Sequence, residues 1–400
     1  MVAIAGFQEG CRLIAAEWLS SKSLIRKTIM ENGVYTFNGK IIRRDDSEYI
    51  SADKTRLLQL IDAILSQPDI AGLKTRTANL KRIVEALDDE LVNTNGEGIL
   101  LKLKPLLEEL QQILDAYTYE RAYYYAQRLK KSLTEAKTGR INDINLRRWK
   151  DYEEIITDSL WNIDRRDQSG AHLGWYWGNY IPQIPHQLML RYTRKGDLVV
   201  DPFAGSGTTL IECRQLGRHG AGVEINPATV EKARELITAE ENPHNVTTRV
   251  EAGDSRYFDF KTLIHDMGFD AVDLYLMHPP YHDIIQFTSD PNDLSNAQST
   301  EDFLQMFGAV LDNTLPLLRK GRYVGIVIGD KYSKGEWIPL GFYCMQEAMS
   351  RGLKLKSIVV KNFEQTKGKR SQKELWRYRA LLGGFYVFKH EYILILEKTR

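Results

Sequence analysis

The spacing of apolar residues changes near the middle of the chain. Up to about residue 150, apolar positions recur every three or four residues, which is typical of amphipathic helices. A first stripe comprises Leu57, Leu58, Ile61 and Leu65, and Lys81–Val92 continues the pattern. The longest stripe has apolar positions spaced alternately four and three residues apart and comprises Leu103, Leu107, Leu110, Leu114, Tyr117, Arg121 and Tyr124. It predicts one long helix, which needs a partner helix in this chain or in a second copy.

A short hairpin is predicted within this helical part. Two runs rich in β-branched and aromatic residues flank Asn38-Gly39 within Gly33–Arg44. The Asn-Gly pair is typical of two-residue hairpin turns, because both residues tolerate positive φ.

From about residue 195 the pattern alternates between strand and helix. The predicted strands are DLVVDPF, GAGVEIN, VTTRVEAGD, AVDLYLMHPPY, GRYVGIVIGD, LKSIVVKNF and HEYILILEK. Seven strands separated by helices predict an α/β protein with a doubly wound, Rossmann-like sheet, whose ligands bind beyond the carboxyl ends of the strands. We therefore predict two domains, a mostly helical region 1–160 and an α/β domain 161–400.

Composition excludes several classes of protein. The chain has 400 residues, of which 43% are hydrophobic and 27% charged, as in ordinary globular proteins. The net charge is +1, so an acidic polymer or a membrane could be bound only through a local patch. The three cysteines, Cys11, Cys213 and Cys344, are too far apart for a metal knuckle or a disulfide framework. We therefore expect no metal site and a reducing, cytoplasmic setting. No apolar run approaches the roughly 18 residues that span a bilayer, so we expect no membrane partner.

Two stretches concentrate positive charge despite this balance. Residues 121–150 hold nine basic and two acidic side chains, interleaved with tyrosines, and residues 354–379 hold the same numbers near Trp376 and Tyr378. Cations beside aromatic rings suit phosphates and bases, whereas a solvated helix face or a disordered loop is the alternative for each stretch. The candidate nucleic-acid contacts are Lys130, Lys131, Arg147, Arg148, Lys367, Lys369, Arg370 and Arg377.

A glycine-rich turn follows the first strand of the alternating half. Gly205 and Gly207 in DPFAGSGTT let the backbone approach a ligand closely before a helix begins. The turn lacks the Lys-Ser/Thr ending of a P-loop and the third glycine of a dinucleotide fingerprint. Glu224 ends the second strand, where a carboxylate can accept both hydrogen bonds of a ribose diol. Asp254 ends the third strand, where it can receive an adenine amino group or the polar atoms that flank it. Glu224 alone is also typical of an exposed helix start, but three acidic strand ends in series, Asp201, Glu224 and Asp254, favour a binding site.

A double proline follows the fourth strand, in His278-Pro279-Pro280-Tyr281. Two consecutive prolines remove two backbone donors and fix an extended turn, so carbonyl oxygens face the cleft with no amide to pair with them. A carbonyl acceptor, an acceptor side chain before it and an aromatic ring after it suit the exocyclic amino group of a planar base. A rigid turn that merely ends a strand is the alternative, but this tetrapeptide and the glycine-rich turn face the same cleft.

These residues resemble the amino-methylating DNA methyltransferases, which carry an FxGxG cofactor motif and an (Asp/Asn/Ser)-Pro-Pro-(Tyr/Phe/Trp) catalytic motif. The resemblance covers roughly residues 170–400 and includes Trp175–Gln187, in the place of a further cofactor-contacting segment. It implies the methyltransferase form of the sheet and S-adenosylmethionine as the cofactor. The implied cofactor-binding residues are Trp177, Asn179, Asp201, Phe203, Ala204, Gly205, Ser206, Gly207, Thr208, Glu224, Ile225 and Asp254.

The resemblance also implies that His278, Pro279, Pro280 and Tyr281 are catalytic, on a base flipped from the duplex. The Pro279 carbonyl and the His278 side chain would accept hydrogen bonds from the amino group, with Tyr281 stacked on the base. His278 stands where the family usually has Asp, Asn or Ser. Because only a neutral imidazole accepts a hydrogen bond, we expect methyl transfer to fall on acidification near the ordinary histidine pKa of about 6.5. A His278 that only packs beside the loop is the alternative.

The implied function is methyl transfer to adenine N6 or cytosine N4 of double-stranded DNA, with adenine favoured, in a restriction–modification system. None of the cysteines follows a proline, which argues against cytosine C5 chemistry. An RNA base methyltransferase and a non-catalytic nucleic-acid- or cofactor-binding module stay open as alternatives. Since little chain remains after Tyr281 for a recognition domain, we expect the N-terminal helices to recognise DNA, to form a homodimer, or both. Deleting residues 1–150 should then abolish DNA binding but not cofactor binding, and a restriction endonuclease partner stays open.

Overall fold

The computed structural model describes the chain over residues 34–37, 40–43, 49–86, 98–362 and 373–399. The chain divides into two compact units, Met1–Glu135 and Ala136–Arg400. The second unit therefore includes residues 136–160, which the sequence pattern assigned to the N-terminal region.

Within its described residues, the first unit contains two strand pairs and four helices. Strand β1 (Val34–Phe37) pairs antiparallel with β2 (Lys40–Arg43), as the hairpin prediction requires, and β3 (Tyr49–Asp53) pairs antiparallel with β4 (Gly98–Lys102), which was not predicted. The helices are α1 (Lys54–Leu65), α2 (Ile70–Ala86), α3 (Leu103–Leu114) and α4 (Tyr119–Thr134). The turn Asn38-Gly39 and the end of the predicted helix Lys81–Val92 lie outside the described residues.

The prediction of one long helix over Leu103–Tyr124 is wrong, because the structure divides this run into α3 and α4. The Thr118 hydroxyl caps α4 by accepting from the Arg121 backbone N–H at 3.3 Å. Tyr117, between the helices, is 98% exposed and so does not continue the apolar stripe. Helix α3 packs against both α2 and α4, so the partner of the stripe lies within this chain.

The second unit is built on one large sheet. Its eight strands are β5 (Leu160–Asn162), β6 (Leu198–Asp201), β7 (His219–Glu224), β8 (Thr248–Ala252), β9 (Val272–Met277), β10 (Leu318–Ile328), β13 (Leu353–Asn362) and β14 (His390–Lys398). Strands β11 (Lys331–Ser333) and β12 (Glu336–Ile338) form a small separate hairpin. The order across the sheet is β5-β13-β14-β10-β9-β6-β7-β8. Neighbouring strands are parallel, except that β14 runs antiparallel to both β10 and β13. The doubly wound α/β fold is confirmed, and the three-residue β5 is added at its edge.

Helices cover both faces of this sheet. The helices described in this unit are α5 (Gln183–Tyr192), α6 (Thr208–Leu216), α7 (Pro227–Ala239), α8 (Phe260–Asp266), α9 (Thr300–Thr314), α10 (Leu340–Ser350) and α11 (Lys373–Gly383), of which α11 is mostly exposed. Side chains of β6 alternate between the faces: Val199 lies in a hydrophobic cluster with Leu188 of α5, and Val200 in another with Phe303 of α9. No helix among the described residues is long and apolar enough to cross a membrane.

The chain reverses its direction of winding beside β6. It passes from β6 to β7 and β8 on one side, then crosses back to β9 on the other side. Ligands of doubly wound sheets bind at such a switch point, beyond the carboxyl ends of the strands. The glycine-rich turn follows β6 and the double proline follows β9, so both motifs lie at this point.

Candidate active site

A cavity of about 990 Å³ opens at the switch point. Eleven of the residues predicted for the site line it: Asn179, Phe203, Ala204, Gly205, Glu224, Ile225, Asp254, His278, Pro279, Pro280 and Tyr281. All four predicted catalytic residues and seven of the predicted cofactor-binding residues therefore share one cavity. Five of the predicted residues do not line it: Trp177, Asp201, Ser206, Gly207 and Thr208.

The glycine-rich turn is held from beneath by Asp201. This buried carboxylate accepts from the Phe203 backbone N–H at 2.9 Å and from the Thr209 hydroxyl, and burial raises its pKa to about 6. Gly207 has φ +81°, and a Cβ there would lie 2.9 Å from a side-chain carbon of Ile237. Asp201 and Gly207 thus shape the turn, because neither faces the cavity.

Glu224 lies at the carboxyl end of β7 and is only 7% exposed. Its Oε2 accepts from the Gly205 backbone N–H and its Oε1 from that of Asn226, both at 3.0 Å. Burial raises the pKa of Glu224 to about 7. The carboxylate is fixed in place and keeps lone pairs for two further donors, as binding of a ribose diol requires.

Asp254, after β8, forms a bidentate ion pair with Arg256, with Arg256 Nε 3.0 Å and Nη2 2.6 Å from Asp254 Oδ2. Burial works against the charge of Arg256, but the hydrogen bonds to Asp254 raise its pKa overall. The pair fixes the carboxylate at the rim of the cavity, where its remaining lone pairs can accept from an amino group.

The segment Asn162–Ile181, here called the strap, runs along the cavity. Asn179 binds the glycine-rich turn, donating to Ser206 Oγ at 2.5 Å and accepting from Thr208 Oγ1 at 2.8 Å. Ser206 and Thr208 therefore act by holding Asn179. Trp177 is 64% exposed, and its neighbour Tyr176 lines the cavity in its place.

Phe287, from the loop after the double proline, was not predicted as a cofactor contact. Its ring stacks on Tyr176 with centroids 5.6 Å apart. A Cβ on Gly178 would lie 2.6 Å from the same ring, so only glycine fits there. This loop therefore packs on the strap and covers the same end of the cavity as Tyr176.

Tyr281 links His278 to two buried charged residues that sequence reasoning missed as site residues. His278 Nε2 lies 3.2 Å from Tyr281 Oη, which donates to Glu391 Oε2 at 2.9 Å. Lys361 donates to Glu391 Oε1 at 2.9 Å. The sequence grouped Lys361 with the basic stretch 354–379, but this side chain is only 6% exposed and pairs within the site.

Burial lowers the pKa of His278 to about 4, although Glu391 acts in the opposite direction. His278 is therefore neutral at physiological pH. The fall in activity that we predict on protonation of His278 therefore moves below pH 6.5, because protonation of this residue needs a more acidic solution.

The predicted nucleic-acid contacts are spread over both units. Lys130 pairs with Asp62 at 2.5 Å in the first unit, and Arg148 pairs with Asp151 in the second. Lys131 and Arg377 are exposed and Arg147 is partly buried. Three others, Lys367, Lys369 and Arg370, lie outside the described residues.

Comparison with known proteins identifies the family. The family model described as DNA methylase, of the N6/N4 class, matches residues 26–235, just over half of the chain. The chain belongs to this family. The cofactor of these DNA methylases, and of this chain, is S-adenosylmethionine.

Individual relatives match shorter segments. The Type II methyltransferase M.MjaII of Methanocaldococcus jannaschii is 42% identical over 52 residues, which is 13% of this chain and 10% of that protein. The Type II methyltransferase M.HindIII of Haemophilus influenzae is 26% identical over 155 residues, 38% of this chain and 48% of that protein. The chain thus spans less than half the length of either. The solved structure of TrmN from Thermus thermophilus is 20% identical with a TM-score of 0.36, covering 55% of this chain and 49% of that one.

The residues of the cavity fit S-adenosylmethionine. Arg166 of the strap donates from Nη1 to the Tyr180 carbonyl at 2.7 Å, whereas its buried Nε and Nη2 have no hydrogen-bond partner among the described residues. A buried guanidinium with open donors suits the carboxylate of the cofactor. Glu224 suits its ribose and Asp254 its adenine. When bound, the cofactor supplies the electrophilic methyl group of its sulfonium.

Proposed function

We propose that the chain methylates the exocyclic amino group of adenine (N6) or cytosine (N4) in double-stranded DNA, with adenine favoured. The observation that carries the proposal is that the double proline and the glycine-rich turn line one cavity. The family and the Type II methyltransferase names of relatives support it. A cavity of about 990 Å³ lies at the upper end of the sizes typical of ligand pockets, which leaves space for a base beside the cofactor.

The double proline acts by positioning the base. Its amino nitrogen is a weak nucleophile, because its lone pair is delocalised into the ring. The Pro279 carbonyl and the neutral His278 ring accept the two N–H groups and let the nitrogen pyramidalise, while the Tyr281 ring holds a base flipped from the duplex. Orientation and hydrogen bonding then supply most of the rate enhancement.

The setting that we propose is a restriction–modification system with an endonuclease partner, since the relatives are Type II methyltransferases. The first unit is the proposed site of DNA recognition. Lys131 there and Arg377 in the second unit are the predicted nucleic-acid contacts that are described and exposed, so they are the proposed phosphate contacts.

Incubation with radiolabelled S-adenosylmethionine tests this function. The full chain is given unmethylated plasmid DNA or RNA of mixed sequence, and the products are digested to nucleosides and separated. We expect label in N6-methyldeoxyadenosine or N4-methyldeoxycytidine and none in RNA.

Two variants control the experiment. Pro279→Ala and Pro280→Ala together should abolish transfer at unchanged cofactor affinity, whereas Tyr392→Phe, outside the cavity, should not affect it. Label in RNA alone would establish an RNA methyltransferase instead. Cofactor binding with no transfer to either polymer would establish a non-catalytic module.

A further inference from the structure

A chain of hydrogen bonds joins His278 to a buried ion pair. Tyr281 Oη lies between His278 Nε2, at 3.2 Å, and Glu391 Oε2, at 2.9 Å. Glu391 and Lys361, on the neighbouring strands β14 and β13, are 9% and 6% exposed. The four side chains of this relay, His278, Tyr281, Glu391 and Lys361, all line the cavity.

The position of each proton in the relay follows from the charges. Burial alone would favour a neutral Glu391, but the Lys361 charge and the hydrogen bonds from Lys361 and Tyr281 lower its pKa overall, so it is ionised and only accepts. Burial and Glu391 raise the pKa of Tyr281 well above its ordinary value, so its hydroxyl keeps its proton. That single proton is directed at the carboxylate, because a hydrogen bond to an ionised acceptor is stronger than one to a neutral nitrogen.

The histidine tautomer follows from this direction. With the phenolic proton on the Glu391 side, the Tyr281 oxygen presents only lone pairs to His278. Two facing lone pairs at 3.2 Å would repel each other, so His278 Nε2 carries the proton and donates it. The other ring nitrogen, Nδ1, is then an acceptor, and it makes no hydrogen bond within the part of the chain that the structure describes.

We propose that Glu391, paired with Lys361, is a positioning residue that fixes the tautomer of His278 through Tyr281, leaving Nδ1 as the acceptor for the amino group of the target base. The inference rests on the proposed function, which supplies that base. The ion pair then accounts for a histidine at position 278, where the family usually has Asp, Asn or Ser. Those residues have an acceptor oxygen without assistance, whereas a neutral histidine accepts at a given nitrogen only in one of its two tautomers.

Nitrogen-15 NMR of the full chain tests the inference without DNA. The chain has eight histidines, so ¹⁵N-histidine labelling gives a short spectrum, in which His278 is assigned by its absence from His278→Asn. We expect an unprotonated Nδ1 and a protonated Nε2 at pH 7. A protonated Nδ1 would overturn the proposal.

Replacing the ion pair should reverse the tautomer. Glu391→Leu with Lys361→Met removes both charges together, which avoids leaving one of them buried and unpaired. The Tyr281 hydroxyl then has His278 Nε2 as its acceptor, so the proton should appear on Nδ1. Tyr281→Phe keeps the ion pair and should give mixed tautomers. The matched control is Tyr392→Phe on β14, the strand that also carries Glu391. It removes a hydroxyl that is hydrogen-bonded to Asp330 and should leave the His278 signals unchanged.

Rates of methyl transfer distinguish a positioning role of Glu391 and Lys361 from a purely structural role. In the wild-type background, the double replacement should lower kcat roughly 100-fold at unchanged affinity for S-adenosylhomocysteine. In the His278→Asn background, whose acceptor needs no tautomer, the same replacement should cost only a few-fold. An equal loss in both backgrounds would overturn the inference. A wild-type chain that methylates no DNA would refute the proposed function, while the NMR spectrum still decides the tautomer.

Discussion

Burial determines the protonation state of the carboxylates beside the cofactor region. The pKa values of Glu224 and Asp201 are raised to about 7 and about 6, because both side chains are removed from water. Glu224 already accepts from two backbone amides, so only its ionised form has acceptors left for both hydroxyls of a ribose diol. Protonation would turn one acceptor into a donor.

Cofactor binding should therefore strengthen as the pH rises. Below about pH 7 Glu224 is protonated and binding has to expel the proton, so the Kd for S-adenosylhomocysteine should fall by up to about tenfold per pH unit between pH 5 and pH 7 and then level off. Isothermal titration calorimetry in two buffers of different ionisation enthalpy measures both the affinity and the proton release. Glu224→Gln should bind more weakly and show little pH dependence in this range. Asp201→Asn removes the other buried carboxylate and should keep the pH dependence. A pH-dependent affinity that survives in Glu224→Gln would contradict the assignment of this pH dependence to Glu224.

Single residues were predictable where their role depends on local sequence. Glu224 ends a recognisable strand, and the double proline is a local motif, so sequence placed both correctly in the cavity. Glu391 is 110 residues from Tyr281, and nothing in HEYILILEK distinguishes it from an exposed strand-end carboxylate. The pKa of His278 could not be predicted either, since it depends on burial by distant strands.

The strap is the element on which recognition of the cofactor's carboxylate depends. Its first half is held at two points, because Gln183 donates to the Arg165 carbonyl at 2.7 Å and Glu240 accepts from the Ala171 backbone N–H at 2.6 Å. Arg166 is thus held against Tyr180 with two donors open to the cavity.

Arg166→Gln should discriminate between ligands with and without a carboxylate. Its affinity for S-adenosylhomocysteine should fall roughly 10- to 100-fold, as expected for loss of charge-assisted hydrogen bonds. Its affinity for 5′-methylthioadenosine, which lacks the amino-acid part, should change by less than a factor of two. Equilibrium dialysis with both ligands measures this, with Arg234→Gln, on α7 and outside the cavity, as the control. Equal weakening for both ligands would show that Arg166 only supports the fold of the strap.

Periodicity predicted regular elements well and irregular ones poorly. The strands from β6 onward are short apolar runs bounded by turn residues, and all seven predicted strands are present. The helix break at Tyr117 was missed, because the 4-3 spacing continues across a corner that only tertiary packing and the Thr118 cap reveal. The strap has no periodicity, so only the family resemblance, and not the pattern of apolar residues, indicated that its later part contacts the cofactor.

At the scale of the whole molecule, the boundary between the units decides what each can do alone. Every residue that lines the cavity lies between Asn162 and Glu391, within the second unit. The sequence placed the boundary at residue 160, because residues 136–160 are basic and lack the alternation of the sheet. In the structure these residues bind the sheet unit: Asn142 donates to the Arg191 carbonyl at 2.7 Å, and Asp143 accepts from the Lys195 backbone N–H at 2.6 Å.

Two truncations should therefore behave differently. The fragment 136–400 should bind S-adenosylhomocysteine within about twofold of the full chain and bind duplex DNA roughly tenfold more weakly, since it lacks the exposed basic residues of the first unit. The fragment 151–400 also loses the contacts of Asn142 and Asp143 and the hydrogen bond from Arg322 to the Ile141 carbonyl. At about 1 kcal/mol for each contact, its Tm should be roughly 5–10 °C below that of 136–400. Calorimetry and DNA titration of both fragments measure these differences. Equal Tm values would contradict the boundary after Glu135, and full DNA affinity of 136–400 would contradict a recognition role for the first unit.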